Sequence, residues 1–301
     1  MPTDRSSRNS TLDFRGAAFR IALPIACAVA LLFVPSAPVS AAVVERFETD
    51  PILGGGPNPF FAEGDAASRF LHLQAPPRFP GDRPGALRVL YDTTLPTARI
   101  ATPLGRVLSL DDDFAFGAIL VIRSEGFFAD PNGFSQIAFG LWNAATTGMG
   151  RTLFPSDSYD LVEVDFFANV TSFGGPFLTG SVFGGNVGDN AFNNFAFQAI
   201  ESALPFDVPV LVQARYSAAT RRLRISAARH ARGAVFQPLP GAVVEIDVAR
   251  LNPTFLVDLL GIAGYGEGWP SLRAEVEYEL LYEGPLPAPF VVGRPARRQG
   301  R

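Results

Sequence analysis

Lysine is absent from this chain of 301 residues, and all 25 basic side chains other than histidine are arginine. Without lysine, the chain can build neither a Schiff-base enzyme nor the lysine-containing P-loop of nucleotide-binding proteins. One cysteine and two histidines are too few for a disulfide framework or for most His/Cys metal clusters. The chemistry open to the chain therefore depends mainly on carboxylates, amides, hydroxyls and aromatic rings.

The composition favours a folded β protein. Hydrophobic residues make up 48% of the chain, which is enough for a large core and too much for general disorder. The chain holds 27 Phe, 29 Gly and 26 Pro, a combination typical of strands joined by tight turns. Composition thus predicts a class of fold but no reaction.

The N-terminal segment has the order of an export signal. A basic stretch precedes an apolar run over residues 21–34, and small residues follow up to Ala42. The run has 14 residues, whereas a membrane-spanning helix needs about 20, so we expect no membrane span in the mature chain. We predict a signal peptide over residues 1–41, with cleavage after Ala41 or, as the alternative, after Ala42. Cys27 would leave with it, and the mature protein would be secreted, periplasmic or on the cell surface.

The predicted mature chain is acidic. Removing residues 1–41 takes four Arg and two Asp and leaves 21 basic and 27 acidic side chains, a net charge of −6. Four of the remaining Arg lie in the last eight residues, within a predicted basic, disordered tail over residues 291–301. An acidic body argues against nucleic acid as a partner.

Short apolar or alternating segments recur along residues 42–290, separated by Gly, Pro, Asp and Asn clusters. This pattern predicts an all-β, antiparallel two-sheet sandwich in a single domain. The candidate strands are 43–48, 69–74, 86–91, 114–122, 135–142, 160–168, 178–183, 193–199, 208–216, 221–228, 243–248, 256–263 and 271–282.

Two candidate strands alternate with a period of two. In 221–228, apolar Leu223, Ile225 and Ala227 share one face. In 272–280, the alternation predicts one apolar face formed by Leu272, Ala274, Val276, Tyr278 and Leu280, opposite Arg273 and three glutamates. We expect the apolar faces to lie in the core.

The segment DLVEVDFFANV, residues 160–170, contains the candidate metal site. Alternation places Val164 and Phe166 on an apolar face and Glu163 and Asp165 together on the other face, about 7 Å apart along the strand. Two like charges at this spacing call for a cation, an arginine or solvent. With Asn169 they form an oxygen set that suits Ca²⁺. A solvated or arginine-paired carboxylate pair without a metal is the alternative.

EVDFFAN resembles the metal-binding strand of legume-type lectins, in which Glu-x-Asp is followed four residues later by Asn. The hairpin VLVQARYSAATRRLRISA resembles a strand pair of the same lectins. The segments VVERFETDP and FSQIAFGLWN resemble concanavalin A-like, laminin G-like bacterial exported domains. The resemblance implies a jelly-roll sandwich, with Ca²⁺ held by Glu163, Asp165, Asn169 and the backbone oxygen of Phe167. Those lectins add a further Asp and a His after the Asn; here VTSFGGPFLTGSVFGG has neither, which leaves room for a single Ca²⁺ site.

The same fold carries laminarinase-type glucanases, whose catalytic strand reads Glu-x-Asp-x-(x)-Glu. A retaining mechanism needs two carboxyl groups that flank the scissile bond. In this chain Phe167 or Ala168 occupies the third place, and neither can protonate a leaving group. Polysaccharide hydrolysis is therefore the alternative rather than the expected function.

The candidate ligand-binding residues are aromatic and amide side chains. Gln136 and Trp142 share a face with small residues, where an indole could stack on a sugar ring; ordinary packing is the alternative. Asn186 and Asn190 belong to an amide-rich segment that could bind sugar or simply form turns. We therefore expect an exported, non-catalytic binding module for a glycan or polysaccharide on the concave face of a sheet. A structural surface or matrix protein is a further alternative.

Overall fold

Two β-sheets and the segments that connect their strands make up the part of the chain that the computed structural model describes. That part comprises residues 43–92, 94–125, 127, 136–145, 160–168, 177–184, 195–200, 204–249, 255–265 and 273–293. Its one helix, α1, covers only Ala66–Arg69. No helix within these ranges is long and apolar enough to cross a membrane.

The first sheet has seven strands. Their spatial order is β10 (Phe195–Ile200), β9 (Phe177–Phe183), β8 (Leu161–Phe167), β7 (Gln136–Trp142), β14 (Leu256–Tyr265), β5 (Ala98–Ser109) and β2 (Phe61–Gly64). All neighbours in this sheet are antiparallel.

The second sheet has nine strands. Eight follow the order β16 (Val291–Val292), β13 (Val235–Asp247), β12 (Arg222–His230), β11 (Val210–Ser217), β6 (Phe114–Ile122), β15 (Arg273–Glu283), β4 (Ala86–Asp92) and β3 (Phe70–Leu73). The ninth, β1 (Val43–Glu45), pairs with β15. Strands β13 and β16 are parallel, and the other named pairs are antiparallel.

The apolar faces of the two sheets form one shared core. Phe139 of the seven-stranded sheet meets Phe116 and Tyr278 of the nine-stranded sheet edge-to-face, at centroid distances of 6.0 and 6.1 Å. Val164 and Phe166 are buried in this core, as the alternation predicts. The all-β, two-sheet sandwich predicted from the sequence is confirmed.

A second apolar cluster covers part of the outer face of the nine-stranded sheet, the face turned away from the core. There Phe79 and Phe290, from connecting segments, pack on Phe236, Leu280 and Tyr282. Leu280 therefore lies opposite Ala274, Val276 and Tyr278, and the prediction that it shares their face is wrong. The cause is a register shift between Tyr278 and Leu280, which puts Leu281 in the core instead.

Strand prediction failed where proline and glycine interrupt the pattern. Strand β5 was not predicted, because Pro103 and Gly105 lie within it. The first half of β13 was also missed, since it contains Pro238 and Pro240. Strand β5 pairs with β14, whose register shifts between Val257 and Leu259. Strand β13 pairs with β12, whose register shifts between Ser226 and Ala228. Irregular pairing of this kind lets a sheet accept proline. Strand β16 extends to Val292, two residues past the predicted end of the domain.

Candidate functional site

Strand β8 places the two candidate metal carboxylates on the outer face of the seven-stranded sheet. Its other face, with Val162, Val164 and Phe166, enters the core. Glu163 and Asp165 nevertheless have no exposed surface. The period-two pattern correctly predicts the face that they share, but their burial depends on the strands beside β8.

Glu163 receives hydrogen bonds from two aromatic side chains on neighbouring strands. The indole Nε1 of Trp142, on β7, donates to its Oε1 at 2.5 Å, and the hydroxyl of Tyr265, on β14, donates to the same oxygen at 2.8 Å. Both rings are buried on the outer face. These neutral donors stabilise a carboxylate that has lost contact with water.

Asp165 is held by polar side chains from both adjacent strands. On β9, Ser181 and Thr179 donate their hydroxyl protons to Oδ2 at 2.5 and 3.1 Å. On β7, the Nε2 of Gln136 lies 3.4 Å from Oδ1, a long contact. Burial raises the pKa of the Tyr278 phenol in the core below, and the negative charge of Asp165 adds to that rise.

The indole of Trp142 packs against small residues of β14 and β5, among them Gly261 and Ala101. A Cβ added to Gly261 would lie 2.3 Å from Cζ3 of the ring, so only glycine permits this close approach. The guanidinium of Arg99 lies 5.7 Å from the ring centroid and forms an ion pair with Glu63 on β2. The indole thus packs against small residues of neighbouring strands, and Trp142 has no exposed surface.

The two described ligand-binding candidates, Gln136 and Trp142, lie at opposite ends of β7. Gln136 begins β7 and Trp142 ends it, which separates them by about 20 Å along the strand. Asn169 follows the end of β8, whereas Asn186 and Asn190 follow β9, which runs in the opposite direction. All three asparagines lie outside the described residues, so their side chains are not placed. The described geometry pairs Trp142 with Glu163 and Gln136 with Asp165 rather than bringing all candidates to one point.

Calcium binding stays a prediction. Within the described ranges, no group of three or more His, Cys, Asp or Glu side chains has the arrangement of a metal site. Glu163 and Asp165 supply oxygen atoms of the type that Ca²⁺ prefers. The donors described above to Oε1 of Glu163 and to both oxygens of Asp165 are neutral groups.

Several residues of this network were missed by sequence analysis. Thr179 and Ser181 alternate with Leu178 and Val182 along β9, a pattern that indicates one polar and one apolar face. Tyr265 ends β14, 102 residues after Glu163, and nothing in the sequence shows that β14 adjoins β7. The network became visible only with the strand order.

No family model matches the chain, and no curated protein matches its sequence. Among solved structures, the carbohydrate recognition domain of Emp47p is similar, with a TM-score of 0.52 and 11% identity over 81% of this chain and 96% of that domain. A legume lectin-like domain from Entamoeba histolytica has a TM-score of 0.50 and 9% identity over 83% of this chain and 100% of that domain. The chain therefore has a legume-lectin-like, concanavalin A-like β-sandwich fold; at these identities the similarity shows the fold alone.

Proposed function

We propose that this protein is an exported, non-catalytic carbohydrate-binding module that holds a glycan at the outer face of its seven-stranded sheet. The observation that carries the proposal is the network on this face, where two neighbouring carboxylates of β8 accept hydrogen bonds from side chains of β7, β9 and β14. Polar groups fixed among aromatic rings are typical of sites that orient a polar ligand. The fold shared with a carbohydrate recognition domain supports the same assignment.

The buried network acts as the floor of the proposed site rather than as its contact surface. Trp142 and Glu163 have no exposed area, and Gln136 is 2% exposed. Their role in this proposal is to hold β7, β8, β9 and β14 in place at this face. In this proposal Asn186 and Asn190 contact the sugar directly, since amide groups can both donate to and accept from sugar hydroxyls.

Binding is favoured over hydrolysis because an aromatic residue, Phe167, occupies the third position of the glucanase-like pattern. Phe167 stacks on Phe177 of β9, with centroids 5.3 Å apart and ring planes at 18°. An aromatic ring at this place supplies no proton to a leaving group. Glu163, the first carboxylate of the pattern, is engaged by Trp142 and Tyr265 instead of projecting toward a substrate.

Export is proposed from residues 1–41 alone. The order of basic, apolar and small residues there predicts cleavage near Ala41, giving a secreted, periplasmic or surface-bound protein. Mass spectrometry of the protein recovered outside the cytoplasm should show an N-terminus at or next to Ala42. An intact Met1 on that protein would contradict export by a cleaved signal.

A glycan array, probed with and without Ca²⁺, tests the binding function. We expect binding to a subset of glycans, and loss of that binding in the Asn186→Ala/Asn190→Ala variant. Gln237→Ala is the matched control, because it removes an exposed amide from the other sheet. Absence of binding to any glycan, by a protein with a normal melting curve, would contradict the proposal and favour a structural role in a surface or matrix assembly.

A further inference from the structure

The segment that connects β3 to β4, residues 74–85, lies against the outer face of the nine-stranded sheet. This segment, the strap, places the ring of Phe79 against Phe236 and Phe290, at centroid distances of 5.9 and 5.7 Å. The ring of His230, on β12, lies 4.7 Å from the same ring. Phe79 thereby helps to bury the apolar cluster on this face.

The backbone of the strap is bonded mainly to itself. The N–H of Asp82 donates to the backbone oxygen of Phe79 at 3.0 Å, and the N–H of Gly85 donates to that of Ala75 at 2.7 Å. The carboxylate of Asp82 accepts a further hydrogen bond from the N–H of Arg78 at 2.7 Å. Because these bonds close within the segment, the strap can leave the sheet without breaking a β-ladder, as a local opening.

The guanidinium of Arg78 forms the ion pairs between the strap and the sheet. It contacts both Glu277 and Glu279 of β15. Glu277 has two further arginine partners, Arg88 at 2.9 Å and Arg123 at 3.7 Å. Within the described part of the chain, Glu279 pairs with Arg78 alone. The link between strap and sheet thus depends on the state of Glu279 more than on that of Glu277.

Half of the Glu279 carboxyl group is buried without a partner. Its side chain is 2% exposed; Oε1 accepts a hydrogen bond from Arg78, whereas Oε2 has no hydrogen-bond partner among the residues that the structure describes. The carboxylates of Asp82 and Glu277 repel a negative charge at this position. Burial and the charge of Asp82 raise the pKa of Glu279 to about 8. The closed strap therefore favours the protonated carboxyl group.

Other charged or titratable groups around the strap contact its neighbouring positions. Arg46 donates to the backbone oxygen of Gly81 at 3.4 Å, and Arg83 forms an exposed ion pair with Glu48 at 3.8 Å. His230 meets the strap through its ring. None of these contacts, as the structure describes them, supplies the donor that the buried carboxyl oxygen on β15 lacks.

We propose that the strap is a pH-sensitive switch: it stays closed while Glu279 is protonated, and ionisation of Glu279 shifts it toward an open form that uncovers the apolar cluster beneath. The groups that carry this coupling are one arginine on the strap and three carboxyl groups around it. The inference uses no residue of the seven-stranded sheet, so it does not depend on the proposed glycan-binding function.

The direction of the pH dependence follows from the proton that opening releases. In the open form Glu279 meets water, and its pKa returns to the ordinary value of 4.5. Between this value and about 8, opening releases one proton, so the equilibrium constant for opening rises by up to about tenfold per pH unit. Burial also raises the pKa of Asp82, which adds a change of the same sign at lower pH. The lowered pKa of Glu277 acts in the opposite direction only below the ordinary carboxyl range.

Native-state hydrogen exchange, followed by mass spectrometry from pH 5 to pH 8, tests the switch. Protection factors, which correct for the pH dependence of intrinsic exchange, are compared between the strap and β6 of the core. We expect the strap to be less protected than β6, to lose about tenfold in protection per pH unit, and to respond weakly to low concentrations of urea. Strap protection that stays constant with pH, or exchange of the strap only together with β6 by global unfolding, would overturn the proposal.

Two variants assign the effect to its residues. Glu279→Gln should abolish the pH dependence of strap protection, whereas Glu275→Gln should keep it, because Glu275 lies on the same face of β15 but pairs with Arg88 at 3.1 Å. Arg78→Gln changes a side chain that is 24% exposed and should lower strap protection at least tenfold relative to β6 at pH 5. A wild-type pH dependence in Glu279→Gln, or unchanged strap protection in Arg78→Gln, would contradict the switch whatever the glycan array shows.

Discussion

Glu277 and Glu279 lie two residues apart on β15 and share the guanidinium of Arg78, yet their pKa values move in opposite directions. Burial alone would raise the pKa of Glu277, but hydrogen bonds from Arg88 and Arg78 outweigh it and hold the value below the ordinary range. Burial dominates at Glu279 and, with the charge of Asp82, raises its pKa to about 8 despite Arg78. The difference follows from the additional arginines that contact Glu277.

The raised pKa of Glu279 predicts a loss of stability with rising pH. Between the ordinary carboxyl pKa of about 4.5 and the folded value of about 8, the unfolded chain has released this proton and the folded chain has kept it. The free energy of unfolding should therefore fall across this window, by an amount on the order of a few kcal/mol. Glu279→Gln should remove this part of the fall, so the variant should gain stability relative to wild type from pH 5 to pH 8.

Urea unfolding of both proteins at several pH values measures this effect. Glu245→Gln, at an exposed position on β13, is the control and should follow the wild-type pH profile. A stability difference between Glu279→Gln and wild type that stays constant from pH 5 to pH 8 would contradict the prediction.

Tyr265→Phe tests the hydrogen-bond network around Glu163. The substitution removes the hydroxyl that donates to Glu163 at 2.8 Å and keeps the ring. We expect the free energy of unfolding to fall by about 1.5–3 kcal/mol, the range for hydrogen bonds to charged groups. Tyr282→Phe is the matched control: its hydroxyl accepts from the neutral amide of Gln213, so its loss should cost about 0.5–1.5 kcal/mol. Equal costs in the two variants would show that the charge of Glu163 adds nothing.

Phe166→Ala tests which face of β8 contributes to the core. Phe166 is 2% exposed and belongs to the shared core cluster. Truncation should lower the free energy of unfolding by about 3–5 kcal/mol because it leaves a cavity. Phe61→Ala, on edge strand β2 where the ring is 36% exposed, should cost less than about 1 kcal/mol. A small effect at Phe166 would mean that the two faces of β8 are assigned the wrong way round.

The predicted calcium site gives a thermal stability test. If Ca²⁺ binds the folded state alone, millimolar Ca²⁺ should raise the melting temperature by mass action. The Glu163→Gln/Asp165→Asn variant should lose that rise, and so should Asn169→Ala. Mg²⁺ at the same concentration controls for ionic strength. A wild-type melting curve that Ca²⁺ leaves unchanged would contradict the metal site.

The fold was largely predictable because most strands alternate or form compact apolar runs between turns. The predicted strand 114–122 coincides with β6, and Leu223, Ile225 and Ala227 of β12 lie in the core as expected. Prediction failed at Pro103, Pro238 and the irregular step after Tyr278. At these positions the local structure depends on pairing between strands that are distant in the sequence. The hydrophobic alternation of one strand contains no information about which strands lie beside it.

The candidate site was predictable only in part. Alternation along β8 correctly puts Glu163 and Asp165 on one face, since that property belongs to a single strand. Their donors come from β7, β9 and β14, and the order of those strands is a property of the whole sheet. Sequence analysis therefore expected a cation or an arginine near the carboxylates, where the described donors are an indole, a phenol, two hydroxyls and an amide.

The register shift between Tyr278 and Leu280 marks a position in β15 where the number of residues in the strand can change. Glu279 and Leu280 both lie on the outer face, while Tyr278 and Leu281 on either side of them enter the core. Deleting Glu279 would leave a regular strand with every neighbouring side chain on its present face. Deleting Glu275 instead would turn Val276 and Tyr278 relative to Ala274. We therefore expect deletion of one residue in this interior strand to keep the two faces at the bulge and to exchange them elsewhere along the strand.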